Sequence, residues 1–214
     1  MHLADGDTTK AVTALRRALE QRPNDPQLLL ATGSALATQG EDEAALALLR
    51  QAATCTEEAS DWLELSIALD RQGHHEEALA AAEKTLAQTP KAARARLMRA
   101  RCHQTLGNTA QAAADYRRVI AQGQDAARAW FGLLDLKTET ITEAELAALE
   151  WAEQQATNAE ERSLLGFALG HALEATGRHK DAFAALTRAN RAAAITRPWN
   201  PAAFSDQTRA LVTA

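Results

Sequence analysis

"GHHEEALAAAEKTLAQTP", residues Gly73 to Pro90, opens on a helix-breaking glycine and closes on a proline, with Ala78 five residues and Ala82 nine residues after the glycine. The stretch decides the fold because it recurs. Turn glycines stand at Gly6, Gly40, Gly73, Gly107 and Gly177, the first four spaced by 34, 33 and 34 residues and the last about two further units on. Five residues after each comes an alanine: Ala11, Ala45, Ala78, Ala112 and Ala182. Four beyond that stand Leu15, Leu49, Ala82, Tyr116 and Leu186, and Pro23 and Pro90 sit seventeen after two of the glycines. A period of this length marks an array of helix pairs. The glycine ends one helix where positive φ is wanted. The alanine lets the partner helix come close, and proline cannot continue a helix.

Composition points the same way. Of 214 residues, 46% are hydrophobic and 24% charged, while aromatics make up only 4% and prolines number 5. Alanine and leucine mixed with arginine and glutamate lose little side-chain freedom in a helix, and runs of β-branched residues that would favour strands are absent. A formal charge of -5 argues against a nucleic-acid partner. Cys55 and Cys102 stand alone, without the spacing of a zinc site or disulfide framework, which fits a reducing, cytoplasmic compartment. No apolar run approaches the roughly 20 residues that span a bilayer.

Before the turns, Trp62 and Leu65 precede Gly73 by eleven and eight residues, and Gly33 and Gly170 precede their own turn glycines by seven. Together with the alanines, Tyr116 and the prolines, this resembles the tetratricopeptide repeat over almost the whole chain. The resemblance implies an all-α, right-handed α-solenoid of antiparallel helix pairs with a C-terminal capping helix. The array is expected over 1–197: a half repeat 1–25, repeats 26–58, 59–92 and 93–126, a degenerate repeat 127–162, and a last repeat 163–197. Residues 198–214 are read as a linker and a C-terminal helix, from Pro201 to about Leu211, with Asn200-Pro201 as N-cap and first helical position. The degenerate unit lacks the turn glycine. It keeps Trp130 and Leu133, has Ala147 and Trp151 one position late, and carries Thr142 and Glu145 as a capping box.

Several clusters invite a chemical reading. His74-His75 lacks a third ligand at helical spacing, and neighbouring side chains on a helix diverge by about 100°. Glu41, Asp42, Glu43, Glu76 and Glu77 begin second helices, where acids suit the helix dipole. Gly177-Arg178-His179-Lys180 reads as a turn and the solvated start of a helix. No phosphate loop, nucleophile with a base, or cofactor motif is present, so this chain is expected to be no enzyme and to hold no cofactor or metal.

The resemblance also implies a concave groove lined by first helices, and its positions carry over by repeat frame. They are Leu63, Ile67, Asp70 and Arg71; Arg94, Leu97, Arg101 and Gln104; Arg128, Phe131 and Asp135; and Leu164, Phe167, His171 and Glu174. Arg71, Arg94, Arg101 and Arg128 would form a basic strip with Leu97, Phe131 and Phe167 as apolar anchors. Such a strip suits an acidic peptide or partner protein, unless the arginines pair with Asp70 and Asp135 instead. The lysine–asparagine carboxylate clamp of chaperone-binding members is not reproduced. Arg96, Arg99 and His103 fall where the repeat usually packs Trp, Leu and Tyr. Either this helix is rotated, or the stems snorkel out of a thin interface.

Phe167-Ala168-Leu169-Gly170, Asp181-Ala182-Phe183 and Asn200-Pro201-Ala202 resemble the segment that precedes the catalytic domain in bacterial tetratricopeptide sulfotransferases, with Lys180 and Trp199 as departures. That resemblance implies a parent enzyme transferring a sulfuryl group from phosphoadenosyl phosphosulfate, with the phosphosulfate loop lying outside this sequence. The half repeat at the start and the end at Ala214 lead to the expectation of an excised domain. The first helix, read as Asp7–Gln21, would leave Leu15 open for a homodimer.

Overall fold

The computed structural model describes residues 2–137 and 140–196, the side chains of 2–8 excepted. Their regular structure is helical throughout: α1 (His2–Gln21), α2 (Pro26–Gln39), α3 (Asp42–Thr56), α4 (Ala59–Arg71), α5 (His75–Gln88), α6 (Ala93–Thr105), α7 (Thr109–Gln122), α8 (Ala126–Asp135), α9 (Glu143–Gln155), α10 (Ala159–Ala175) and α11 (His179–Thr196). The fold is all-α, built from paired helices. Two compact units divide the chain, Met1–Asp125 and Ala126–Ala214.

In the first unit α2 pairs with α3, α4 with α5 and α6 with α7, and each second helix packs on the next first helix. The local causes repeat with the sequence. Gly73 and Gly107 adopt φ of 82° and 80°. Each donates its N–H back to the helix it ends, and the following residue reaches one carbonyl further, His74 to Leu69 at 2.9 Å and Asn108 to His103 at 2.8 Å. These paired bonds satisfy carbonyls that a helix end otherwise leaves open. At the start of α2 the Asp25 carboxylate accepts from the N–H groups of Gln27 and Leu28, and Pro26 fills the first helical position.

Small side chains sit at the crossings. Ala45, Ala78 and Ala112 are fully buried, and Ala182 is 4% exposed. A Cβ on Gly33 would come within 2.8 Å of Leu49 Cγ. A core of Leu46, Leu49, Trp62, Leu65, Leu69 and Met98 runs continuously from α3 through α4 to α6. Lys84 lies over the Trp62 ring, 3.6 Å from its centroid, a cation–π contact.

In the second unit α10 and α11 form the closest pair, with α8 and α9 packed on α10. A Cβ on Gly166 would meet Ala189 Cβ at 2.9 Å and its Cα at 3.3 Å, and one on Gly170 would meet Leu186 at 2.5 Å. Trp130 and Leu133 are buried in α8. The Thr142–Glu145 capping box forms and opens α9.

Several expectations need correction. The first helix begins at His2, ahead of Asp7. The last first helix begins at Ala159, four residues before Ser163, because the Asn158 side chain accepts from Glu161 N–H and starts the helix there. Ala147 and Trp151 do not pack inward: both are exposed, and Leu146 and Leu149 turn in instead. Without a turn glycine the capping box opens α9, and the one-residue delay of Ala147 and Trp151 turns them about 100° away from the expected face. The expected helix from Pro201 to Leu211, and with it Trp199, Asn200 and the linker, lies outside the described residues.

Candidate functional site

Within the first unit α2 touches α4 and α4 touches α6, closer contacts than those among the second helices α3, α5 and α7. The first helices therefore form the inner, concave side of this unit. Side chains at the expected groove positions tie the three together. Arg71 of α4 donates through Nη2 to the Ala37 carbonyl at the end of α2, at 3.1 Å. Arg94 of α6 faces Glu64 of α4 at 3.7 Å, and Arg101 of α6 reaches Asp70 of α4 at 2.8 Å. Asp70 is the unusual member. Its side chain is 4% exposed, and its other oxygen lies 3.3 Å from His75 Nδ1.

Leu63 and Ile67 are half-buried on α4, about two turns and one turn before Arg71. Leu97, expected as an apolar anchor, is 8% exposed and belongs to the core rather than to the open face. Gln104 is half-buried and accepts from the Tyr116 hydroxyl at 2.8 Å. In the second unit Arg128 pairs with Glu160 at 2.7 Å. Phe131 and Phe167 are half-buried there and His171 is exposed. Arg178, expected as part of a solvated start, is exposed, and its guanidinium pairs with Asp181 and Glu150.

The chain thus supplies an acceptor for each arginine of the expected strip. For Arg101 it is Asp70, the pairing that the sequence left open. The strip is a ladder of braces whose outer guanidinium edges remain in solvent, the Arg94 and Arg101 side chains being 63% and 59% exposed.

Arg96 and Arg99 do neither of the things expected of them. Arg96 is 7% exposed, so it does not snorkel, while Ala93, Ala95 and Ala100 of the same helix remain buried. Both arginines converge on Asp115 of α7, itself 5% exposed. Arg99 donates from Nε and Nη2 at 2.7 Å each, and Arg96 from Nη1 at 3.3 Å. Arg96 Nη2 also donates to the Pro90 carbonyl, while its buried Nε has no partner. Donating to the Asp115 carboxylate holds the Arg99 proton more tightly than usual. The signal was present: eight residues after the turn glycine the other units carry Leu48, Ala81 and Ala185, and only here an aspartate.

Among the described residues no group of three or more His, Cys, Asp or Glu could hold a metal ion, and no helix is long and apolar enough to cross a membrane. Successive short helix pairs with small residues at their crossings define an α-helical repeat scaffold. The chain belongs to the tetratricopeptide repeat family, whose patterns match residues 2–60 and 71–136. Repeats of this family indicate a protein–protein interaction module and typically a non-catalytic scaffold.

Solved structures of similar fold include PilF of Pseudomonas aeruginosa, at 19% identity over 97% of this chain and 92% of that one, with a TM-score of 0.65. YrrB, described as a TPR protein with an unusual peptide-binding site, aligns at 17% identity over 92% of this chain and 100% of its own, with a TM-score of 0.64. MamA aligns at 17% identity over 92% and 94%, with a TM-score of 0.57. No curated protein matches by sequence.

Proposed function

We propose that the first-helix face of the first unit binds an extended peptide or a segment of a partner protein bearing carboxylates and at least one aliphatic side chain. The observation that carries this reading is that Arg71, Arg94 and Arg101 all anchor on first helices, with the half-buried Leu63 and Ile67 at helical spacing before Arg71 on α4. A guanidinium has five N–H donors. Arg94 and Arg101 can hold Glu64 and Asp70 with one edge and offer the other to a peptide carboxylate. Leu63 and Ile67 supply the apolar contact. On the second unit, taken by itself, Arg128, Phe131, Phe167 and His171 are proposed peptide-contacting residues of its own first helices.

Arg101 is a poor residue to reverse, because a glutamate there would face the buried Asp70. Arg94 is a good one, since an exposed pair contributes about 0–1 kcal/mol and its loss leaves the fold intact. Arg94→Glu combined with Ile67→Ser should weaken capture of acidic, leucine-containing peptides from a peptide array by about tenfold or more. Unchanged capture by a folded variant would show that ligands bind elsewhere.

A second reading makes the chain the substrate-presenting arm of a bacterial sulfotransferase. It rests only on the sequence resemblance at Phe167–Gly170, Asp181–Phe183 and Asn200–Ala202, and coding sequence beyond Ala214 that carries no phosphosulfate loop would end it. A cytoplasmic location is supported by Cys55 and Cys102, both free thiols. Self-association through α1 is a further proposal. Leu15 there is half-buried and Ala11 exposed, and a molar mass that stays constant on dilution would exclude it.

A further inference from the structure

A period that recurs this closely leaves the choice of helix partner open. Ala45, Ala78 and Ala112 are all fully buried at equivalent crossings. A first helix that met the wrong second helix would therefore find the same small-residue seat. The α6–α7 pair carries a distinction that the repeat lacks.

Arg96 and Arg99 stand eleven and eight residues before Gly107. At those places α2 has Leu29 and Thr32 before Gly40, and α4 has Trp62 and Leu65 before Gly73. All four are buried. Asp115 stands eight residues after Gly107, where α1, α3 and α5 have Ala14, Leu48 and Ala81 after their own turn glycines. Charge on α6 is thus met by charge on α7 at a register that is uncharged in the other helices of the first unit. Arg99 occupies both Asp115 oxygens, and Arg96 adds a third bond. The further bond of Arg96 goes to the Pro90 carbonyl, in the loop that leads into its own helix. Glu83 of α5 contributes only the smallest of the influences on Arg99.

Set against α3 or α5, α6 would bury Arg96 on Leu48 or Ala81, with no carboxylate at that place to accept from it. Set against α2 or α4, Asp115 would meet Leu29 and Thr32 or Trp62 and Leu65, and the Thr32 hydroxyl already donates to the Leu28 carbonyl of its own helix. Either exchange strands a buried charge, which disfavours the wrong pair by about a hundredfold or more. Stability alone does not account for the cluster. Uncharged residues fill the same places in the neighbouring pairs, and the buried Arg96 Nε has no partner.

We infer that the Arg96–Arg99–Asp115 cluster is a registry device. It makes α7 the second helix on which α6 closes, and keeps similar helix pairs from joining out of order, within one chain or between copies. This is independent of peptide binding on the first-helix face.

Refolding the full 214-residue chain from urea over a range of protein concentrations tests it, read by the amide resonances of α6 and α7 and by molar mass. The wild type should give one set of resonances throughout. Two replacements erase the charges: Arg96→Met with Arg99→Leu and Asp115→Leu, and Arg96→Leu with Arg99→Thr and Asp115→Leu. The second copies Leu29, Thr32 and Leu48 of the α2–α3 pair. Each should match or exceed the urea midpoint of the wild type, yet show extra resonance sets or dimers in about a tenth or more of the molecules. If one variant does not fold, the other decides. A folded variant with a single set of resonances at every concentration would overturn the inference. So would a lowered midpoint in both, which would make the cluster a stabilising contact and nothing more.

Discussion

Replacing Asp115 by alanine removes the shared acceptor of two arginines at the α6–α7 contact. Three charge-assisted hydrogen bonds go with it, two at 2.7 Å from Arg99 and one at 3.3 Å from Arg96. At about 1.5–3 kcal/mol each their sum would exceed what is lost, because Arg99 is 27% exposed and can be rehydrated. Arg96, at 8%, cannot. It keeps only the Pro90 carbonyl, and a buried charge stripped of its partner costs about 3–5 kcal/mol. At about 2.1 cal/mol/K per residue, a unit of this length loses roughly 10–20 °C of melting temperature for that change. The assay is urea unfolding followed by circular dichroism, with hydrogen exchange to show that α6 and α7 open first. A companion variant, Arg96→Met with Arg99→Leu and Asp115→Leu, should be neutral or stabilised by about 1–4 kcal/mol. A loss below about 1 kcal/mol for Asp115→Ala would mean that water reaches Arg96, and the reasoning would fail.

Gly166→Ala should destabilise the second unit by about 1–3 kcal/mol, since its Cβ would press on the backbone of Ala189, which cannot rotate away as a side-chain tip can. Thermal unfolding measures it, and an unchanged midpoint would contradict the close approach of α10 and α11. Burial pushes the Cys102 thiol up to about 12, so at pH 8 it holds almost no thiolate. Brief iodoacetamide treatment should therefore label the exposed Cys55 and spare Cys102 until the chain is unfolded, which mass spectrometry of the peptides would report. Equal labelling of both in the native chain would show that α6 opens readily.

The repeat was legible because its cause is local. A glycine at positive φ and an alanine at a crossing each act on neighbours within one helix pair, so their spacing writes the fold directly into the sequence. Where the turn glycine is missing, the reading slipped. The Thr142 cap opens α9, and Ala147 and Trp151, one position late in the spacing and so about 100° round the helix, face outward. Groove positions were legible as places but not as partners. Arg101 holding Asp70, and Arg71 holding the Ala37 carbonyl, depend on how successive units stack, which no single unit specifies. Asp115 is the intermediate case: its departure from an otherwise apolar register was visible, and its bond to Arg99 needed the geometry of two facing helices.

Braces in the first unit reach back by about one period. Arg71 grips the Ala37 carbonyl, Gln72 that of Asp42 and Gln88 that of Glu57, across 34, 30 and 31 residues. Such a chain has no keystone. Each segment needs only the one before it, so ribosomal synthesis can lay the stack down in order, with every newly emerged helix finding its anchorage already built. Under tension the same economy acts in reverse, and a pull on one end should unpeel segments in turn instead of rupturing the stack at a single force. In genetic terms, a whole period could be duplicated or deleted here without depriving either flank of the surface it grips.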